Sequence, residues 1–277
     1  MHPGVSMTAT TGDYVLGTDR AELARLGVQH RAWREVMLGA WRRAGLREGW
    51  RVADVGAGPG YATWDLAGMV GAAGRVIAVE RSAAFVEELQ RQAAVRDLPQ
   101  VSVIEGDLME LAPLAGCDMA WCRWVASFVP SVPTLVHWLR QSIRPGGRVV
   151  LHEYADYGSW RFAPPRPVLQ EFVQEVMASW RDSGGEPDVA SSLIGELRQS
   201  GFKLVATRPH LFTTAPGDLT WQWPAGFVAV NAHRLLQLGR VSEEWVARVI
   251  TDMAGAERDA ESLMITPLVL EIIAERR

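Results

Sequence analysis

Apolar positions along the chain change period three times. From Asp19 to Ala44, the residues Leu23, Leu26, Trp33, Met37, Ala40 and Trp41 recur at spacings of three and four, which predicts an amphipathic helix. Asp19 and Glu22 resemble a capping pair at its start. From residue 51 to about 153, short β-branched runs alternate with helical periods. Strands are expected at Arg51–Val55, Arg75–Glu80, Val101–Glu105, Cys117–Cys122 and Gly147–Glu153. Helices are expected at Tyr61–Val70, Ser82–Val95 and Val132–Ile143, with a short turn at Asp107–Leu111. This alternation builds right-handed βαβ units and a parallel sheet. Pro145-Gly146-Gly147 marks a turn before the fifth strand.

Beyond Glu153 the regularity weakens. The pattern predicts helices over Val168–Trp180 and 189–199, a strand over Phe202–Phe212, two helical segments within 218–257 split near Gly239, and a last strand at Pro267–Ala274. Residues 1–12 carry no period and are expected to be mobile.

The 277 residues suffice for a large core, and the formal net charge of −4 argues against a phosphate-backbone partner. No apolar run approaches a membrane span, and the N-terminus has no leader-like basic and apolar regions, so a cytoplasmic protein is expected. Cys117 and Cys122, the two cysteines, suggest a reducing compartment and supply too few ligands for structural zinc. The 12 tryptophans have two readings, helix-face packing or an aromatic-lined pocket.

The run Asp54-Val55-Gly56-Ala57-Gly58-Pro59-Gly60 closes the first strand and opens a helix. A glycine turn there lets backbone approach a ligand, and a helix N-terminus favours anionic groups. Glu80 ends the second strand, where a carboxylate can bond ribose hydroxyls. Gly106-Asp107 ends the third, where a carboxylate can accept from an adenine amino group. The glycine spacing departs from the dinucleotide fingerprint, because Tyr61 stands at its third glycine position. With the Pro145-Gly146-Gly147 turn, these features over about residues 50–155 resemble the class I S-adenosylmethionine-dependent methyltransferases.

That resemblance implies an α/β, Rossmann-like, seven-stranded and mostly parallel sheet with helices on both faces, an N-terminal helical segment and helical lid insertions. It implies S-adenosyl-L-methionine as cofactor and S-adenosyl-L-homocysteine as product. Asp54 and Gly56 would lie beside the methionine amine, with Ala57 and Gly58 along the cofactor. Glu80 would hold the ribose and Arg81 flank the adenine; Gly106, Asp107 and Leu108 would hold and cover the adenine. Cys122 and Arg123 would lie near the sulfonium and carboxylate end, with Tyr14 as a closing aromatic. The expected organisation is a helical cap at 1–47, a cofactor-binding core at 48–155, an insertion at 156–200, a core strand at 201–216, a helical lid at 217–260 and a last strand at 261–277.

Methyl transfer to oxygen or carbon needs a base, sought beyond the fourth and fifth strands. His152 has the pKa range for it, and Tyr154 and Tyr157 could orient an acceptor; the other reading of His152 is a satisfied sheet-edge residue. His233 could face the pocket or not. Trp160, Trp221, Trp223 and Phe227 are candidate acceptor-pocket residues. No metal is expected, since the acidic pattern of the metal-dependent catechol-type members is missing, and Cys122-Arg123-Trp124 replaces the segment that orients flipped bases. The expected acceptor is a small, partly apolar or aromatic metabolite, with no nucleic acid or membrane partner and a homodimer left open. Methylation of protein or RNA, and a cofactor-binding homologue without catalysis, are the alternatives.

Overall fold

The computed structural model describes residues 20–277; Tyr14, Asp19 and the N-terminal segment expected to be mobile lie outside the described residues. The chain runs through helix α1 (Arg20–Arg43), β1 (Arg51–Val55), α2 (Tyr61–Val70), β2 (Arg75–Glu80), α3 (Ala83–Val95), β3 (Val101–Glu105), β4 (Cys117–Arg123), α4 (Val132–Ser142) and β5 (Ile143–Asp156). It continues through β6 (Arg161–Ala163), α5 (Pro167–Asp182), α6 (Ala190–Gln199), β7 (Phe202–His210), β8 (Thr213–Thr214), α7 (Leu219–Gln237), α8 (Glu243–Arg258), β9 (Leu263–Ile265) and β10 (Leu268–Arg276).

Seven strands form one sheet in the order β3-β2-β1-β4-β5-β10-β7. The first five run parallel, and β10 lies antiparallel between β5 and β7. Side-chain alternation sorts the strands onto two cores. On one face, Val52, Val76, Met119, Trp121 and Val150 meet Met37 and Trp41 of α1 and Leu66 and Val70 of α2. On the other, Ala53, Val55, Cys122, Val149 and Leu151 meet Leu135 and Leu139 of α4 and Leu193 and Leu197 of α6. Helix α6, expected inside an insertion, is therefore a sheet-covering helix.

The turn expected before the fifth strand is instead a bulge within it. Ile143 already pairs with Cys117, and the register slips before Arg148 pairs with Met119, so Pro145-Gly146-Gly147 lies in the excess loop. A second sheet, β6-β9-β8, was outside the expected pattern because its strands are two or three residues long. A third core sits above the C-terminal strand ends. There Trp33 of α1 joins Phe172 and Trp180 of α5, Trp221, Trp223 and Phe227 of α7, and Val246 and Val249 of α8.

Candidate functional site

The C-terminal ends of β1, β2 and β4 open into a cavity. Its floor is the glycine turn. Gly56 and Ala57 donate their amides to the Val79 carbonyl at 2.9 and 3.0 Å, which ties the turn to β2. Gly56 has φ +66°, and a Cβ there would lie 2.3 Å from Val125 Cγ2. Gly58 has φ +56°, and its Cβ would project into open cavity space, the place where a ligand can lie against bare backbone.

Three carboxylates border this space. Asp54 is buried and accepts from Thr63 Oγ1 at 2.6 Å, which fixes its orientation from α2. Burial pushes its pKa up to about 6, opposed by the Thr63 bond and the Arg123 charge. Glu80 accepts backbone amides from Gly58 at 2.8 Å and from Arg81 and Ser82 at 2.9 Å each. Asp107 is exposed and accepts from Met109 N at 2.8 Å, with buried Leu108 beside it on the cavity wall. Arg81, Gly106 and Ala57 also line the cavity.

Arg123 reaches the cavity from the end of β4. Its guanidinium lies 5.8 Å from the Trp121 ring centroid and 5.0 Å from that of Trp124. Burial lowers its pKa to about 10, against the attraction of Asp54. Cys122 does not join it. Alternation along β4 turns Cys122 to the opposite face, where Sγ lies 3.9 Å from Glu153 Oε1. Burial raises its thiol pKa well above the ordinary range, and it leaves the set of cavity residues.

The expected catalytic group also moves off the wall. His152 is fully buried and does not line the cavity. It pairs laterally with Arg123 on β4 and Glu271 on β10, and of these neighbours Arg123 lines the cavity. Its Nε2 lies 3.5 Å from Glu271 Oε2, while Arg43 and His210 bond the same carboxylate at 2.6–3.0 Å. His152, His210 and Glu271 cluster closely enough for a cation, but the Arg43 guanidinium already spans both Glu271 oxygens. Tyr154 stacks on Trp124 at 5.4 Å, and Tyr157 is buried among Tyr154, Trp160 and Trp180. Burial raises the Tyr157 pKa beyond the range of a useful base. Trp160, Trp221, Trp223 and Phe227 are closed into the third core and none borders the cavity. His233 is exposed on α7.

The position of His152 has a measurable consequence. Burial lowers its pKa to about 4 from 6.5, against the pull of Glu271. Burial alone would raise Glu271, but His152, His210 and Arg43 outweigh it and hold the carboxyl well below 4.5. For both groups the folded state binds fewer protons than the unfolded one. Their contribution is fully present above pH 6.5 and is lost as pH falls, His152 through about 4 and Glu271 below that. The His152 part amounts to about 3 kcal/mol. Melting temperature measured against pH should drop in acid, and His152→Gln should flatten the drop between pH 6.5 and 4. An unchanged profile in that variant would rule the account out.

Several cavity residues carried no local sequence signal for it. Leu26 and Gln29 reach it from α1, Phe85 from α3, and Phe128, Val129 and Pro130 from the loop after β4. Their one legible trait was position beyond a strand end or on the buried face of a helix. Trp121 and Trp124 both line the cavity.

The group that suits this cavity has a cationic amine for buried Asp54, hydroxyls for Glu80, and a flat apolar body for Leu108 and Phe85. The open space beside Gly58 lets it lie on the turn. S-adenosylmethionine has these features, and the residues fit it.

Fold and cavity together define a nucleoside-binding protein of the doubly wound α/β class. The sequence pattern described as "Methyltransferase domain" matches residues 52–147. The nocamycin O-methyltransferase of Saccharothrix syringae is 31% identical over 196 residues, covering 65% of this chain and 70% of that protein. The 2-phytyl-1,4-naphtoquinone methyltransferase of Synechococcus elongatus is 30% identical over 155 residues, which are 54% of this chain and 61% of that enzyme's length. Among solved structures, geranyl diphosphate C-methyltransferase from Streptomyces coelicolor superposes with a TM-score of 0.57 at 15% identity, covering 90% of this chain and 77% of that one. The chain belongs to the class I S-adenosylmethionine-dependent methyltransferases.

Proposed function

We propose that this protein transfers the methyl group of S-adenosylmethionine to a small, partly apolar or aromatic metabolite. The observation that carries the reading is the buried Asp54 carboxylate, the bare Gly58 backbone and the Glu80 carboxylate bonded to it, all facing one cavity. The relatives named above act, by their names, on a naphthoquinone and on nocamycin, which supports a small acceptor. When bound, the cofactor supplies an electrophilic methyl carbon, and the chain's task is to align donor and acceptor and to exclude water.

In this reading Asp54 faces the methionine amine, Glu80 holds the ribose, Asp107 and Leu108 hold the adenine, and Arg123 lies near the methionine carboxylate. The acceptor meets a wall of Leu26, Trp121, Trp124 and Phe128, all of which line the cavity. Trp160, Trp221, Trp223 and Phe227 support that wall from behind. Among the described residues no histidine or lysine lines the cavity, so proximity and orientation are the main levers these residues offer. No helix among them is long and apolar enough to cross a membrane.

Isothermal calorimetry with S-adenosylhomocysteine should give saturable one-to-one binding. Methyl-labelled S-adenosylmethionine added with a cell extract should place label in the small-molecule fraction. Label confined to protein or RNA would transfer the proposal to a macromolecular acceptor, and no binding in calorimetry would end it.

A further inference from the structure

Two sequence stretches find no use in holding the cofactor: His152–Tyr157, and the turn from Asp182 to Asp188. The structure brings both onto the loop that follows β4. Glu153 points to the face opposite His152, where Oε1 accepts the amides of Val125 at 2.8 Å and Ala126 at 2.9 Å. Its Oε2 accepts Ser127 Oγ at 3.3 Å. A fully buried carboxylate thus caps the first turn after β4, as a side-chain cap satisfies amides at a helix start. From the other side, Glu186 donates its amide to the Ser127 carbonyl at 3.0 Å. Gly185 packs so closely that a Cβ would lie 2.4 Å from the same oxygen.

The turn is itself anchored. Asp188 Oδ1 accepts the Tyr157 amide at 2.6 Å, and Arg181 bonds Glu186 at 2.9 Å and Asp188 at 3.1 Å. The clamped loop is a wall of the cavity. Val125 packs on Gly56, and Trp124, at its start, has φ +54°, a conformation that a bulky side chain rarely adopts. Such a backbone persists only where its surroundings fix it.

We propose that Glu153 and the Gly185–Asp188 turn are positioning elements that jointly hold residues 124–130 as the cavity wall facing the glycine turn. The binding arm of the test rests on the methyl-transfer reading above, whereas the exchange arm does not. S-adenosylhomocysteine affinity by calorimetry and amide hydrogen exchange at residues 125–128 are measured for the wild type, Glu153→Ala, Glu153→Gln and Gly185→Ala. Glu153→Ala should weaken binding about tenfold and speed exchange at 125–128. Glu153→Gln retains an acceptor for the two amides and should restore both. Gly185→Ala lies outside the cavity, yet it should weaken binding through displacement of Ser127.

Unchanged affinity and unchanged local exchange in folded Glu153→Ala, with only a lower melting temperature, would overturn the proposal and leave Glu153 a stabilising core group. If Glu153→Ala does not fold, Gly185→Ala decides: faster exchange at 125–128 supports the clamp, and wild-type exchange rejects it. Absence of binding in the wild type would fail the methyl-transfer reading alone, since exchange still reports on the clamp.

Discussion

Replacing Trp33 with alanine should lower the unfolding free energy by about 4 kcal/mol and the melting temperature by about 10 °C. Trp33 is fully buried and joins helix α1 to the third core. Its ring meets Trp124 at 5.3 Å, Phe212 at 5.4 Å and Trp223 at 4.9 Å, each edge to face. It also contacts His152 and His210, each at 6.0 Å. The groups it touches belong to β5, β7, the link between β7 and β8, α7 and the loop after β4, so no single element can move in to fill the void. Cavity and transfer terms then add. Calorimetric unfolding checks this, with Val95→Ala as the control. Val95 is 73% exposed and its truncation should stay within about 0.5 kcal/mol. A Trp33→Ala loss no larger than the control's would show that the aromatic contacts contribute little.

Trp33 also shows where sequence reading reached and where it stopped. Its helical period placed it on an apolar face, and that face is buried. Nothing in the period says that its partners are a tryptophan in a left-handed conformation after β4 and another on α7, some 190 residues away. Local patterns made β1, β2 and β3 legible to their end residues, because parallel strands read as apolar runs bounded by turns: β1 and β2 are buried on both faces, and the half-buried edge strand β3 is a short β-branched run. The glycine turn, Glu80 and Asp107 were legible for the same reason. Each sits at a strand end whose position the alternation fixes, and the topology gathers those ends at one rim.

The acceptor side was harder to read because its geometry is settled between elements far apart in sequence. Strand alternation puts His152 and Glu153 on opposite faces of β5. It did not reveal that β10 would present Glu271 to His152, or that Arg123 and not His152 would line the cavity. The tryptophans of the later insertions were expected to face an acceptor. They pack instead into a separate core with α5, α7, α8 and the small β6-β9-β8 sheet. Trp121 and Trp124, outside those insertions, carry the aromatic wall.

The second large effect concerns binding alone. Glu80→Ala should weaken S-adenosylhomocysteine affinity about 100-fold, close to 3 kcal/mol. Two causes act together. The substitution removes an acceptor for hydroxyls at the ribose position, and it also releases the Gly58, Arg81 and Ser82 amides. Gly58 belongs to the turn after β1, and Ser82 caps α3, so one carboxylate braces two separate chain segments. Unpaired amides beside a partly closed cavity cost free energy in the empty protein and lose their orientation toward a ligand. Glu80→Gln keeps one acceptor oxygen but turns an amide NH2 toward the other donors, so an intermediate loss of about tenfold is expected. Asp107 is exposed and its carboxylate accepts one backbone amide, from Met109, so Asp107→Asn should cost less than Glu80→Gln. Calorimetry on the three variants orders them. If Glu80→Ala binds within about threefold of wild type, or if Asp107→Asn proves the more damaging change, the ribose assignment is wrong and the ligand lies elsewhere along the rim.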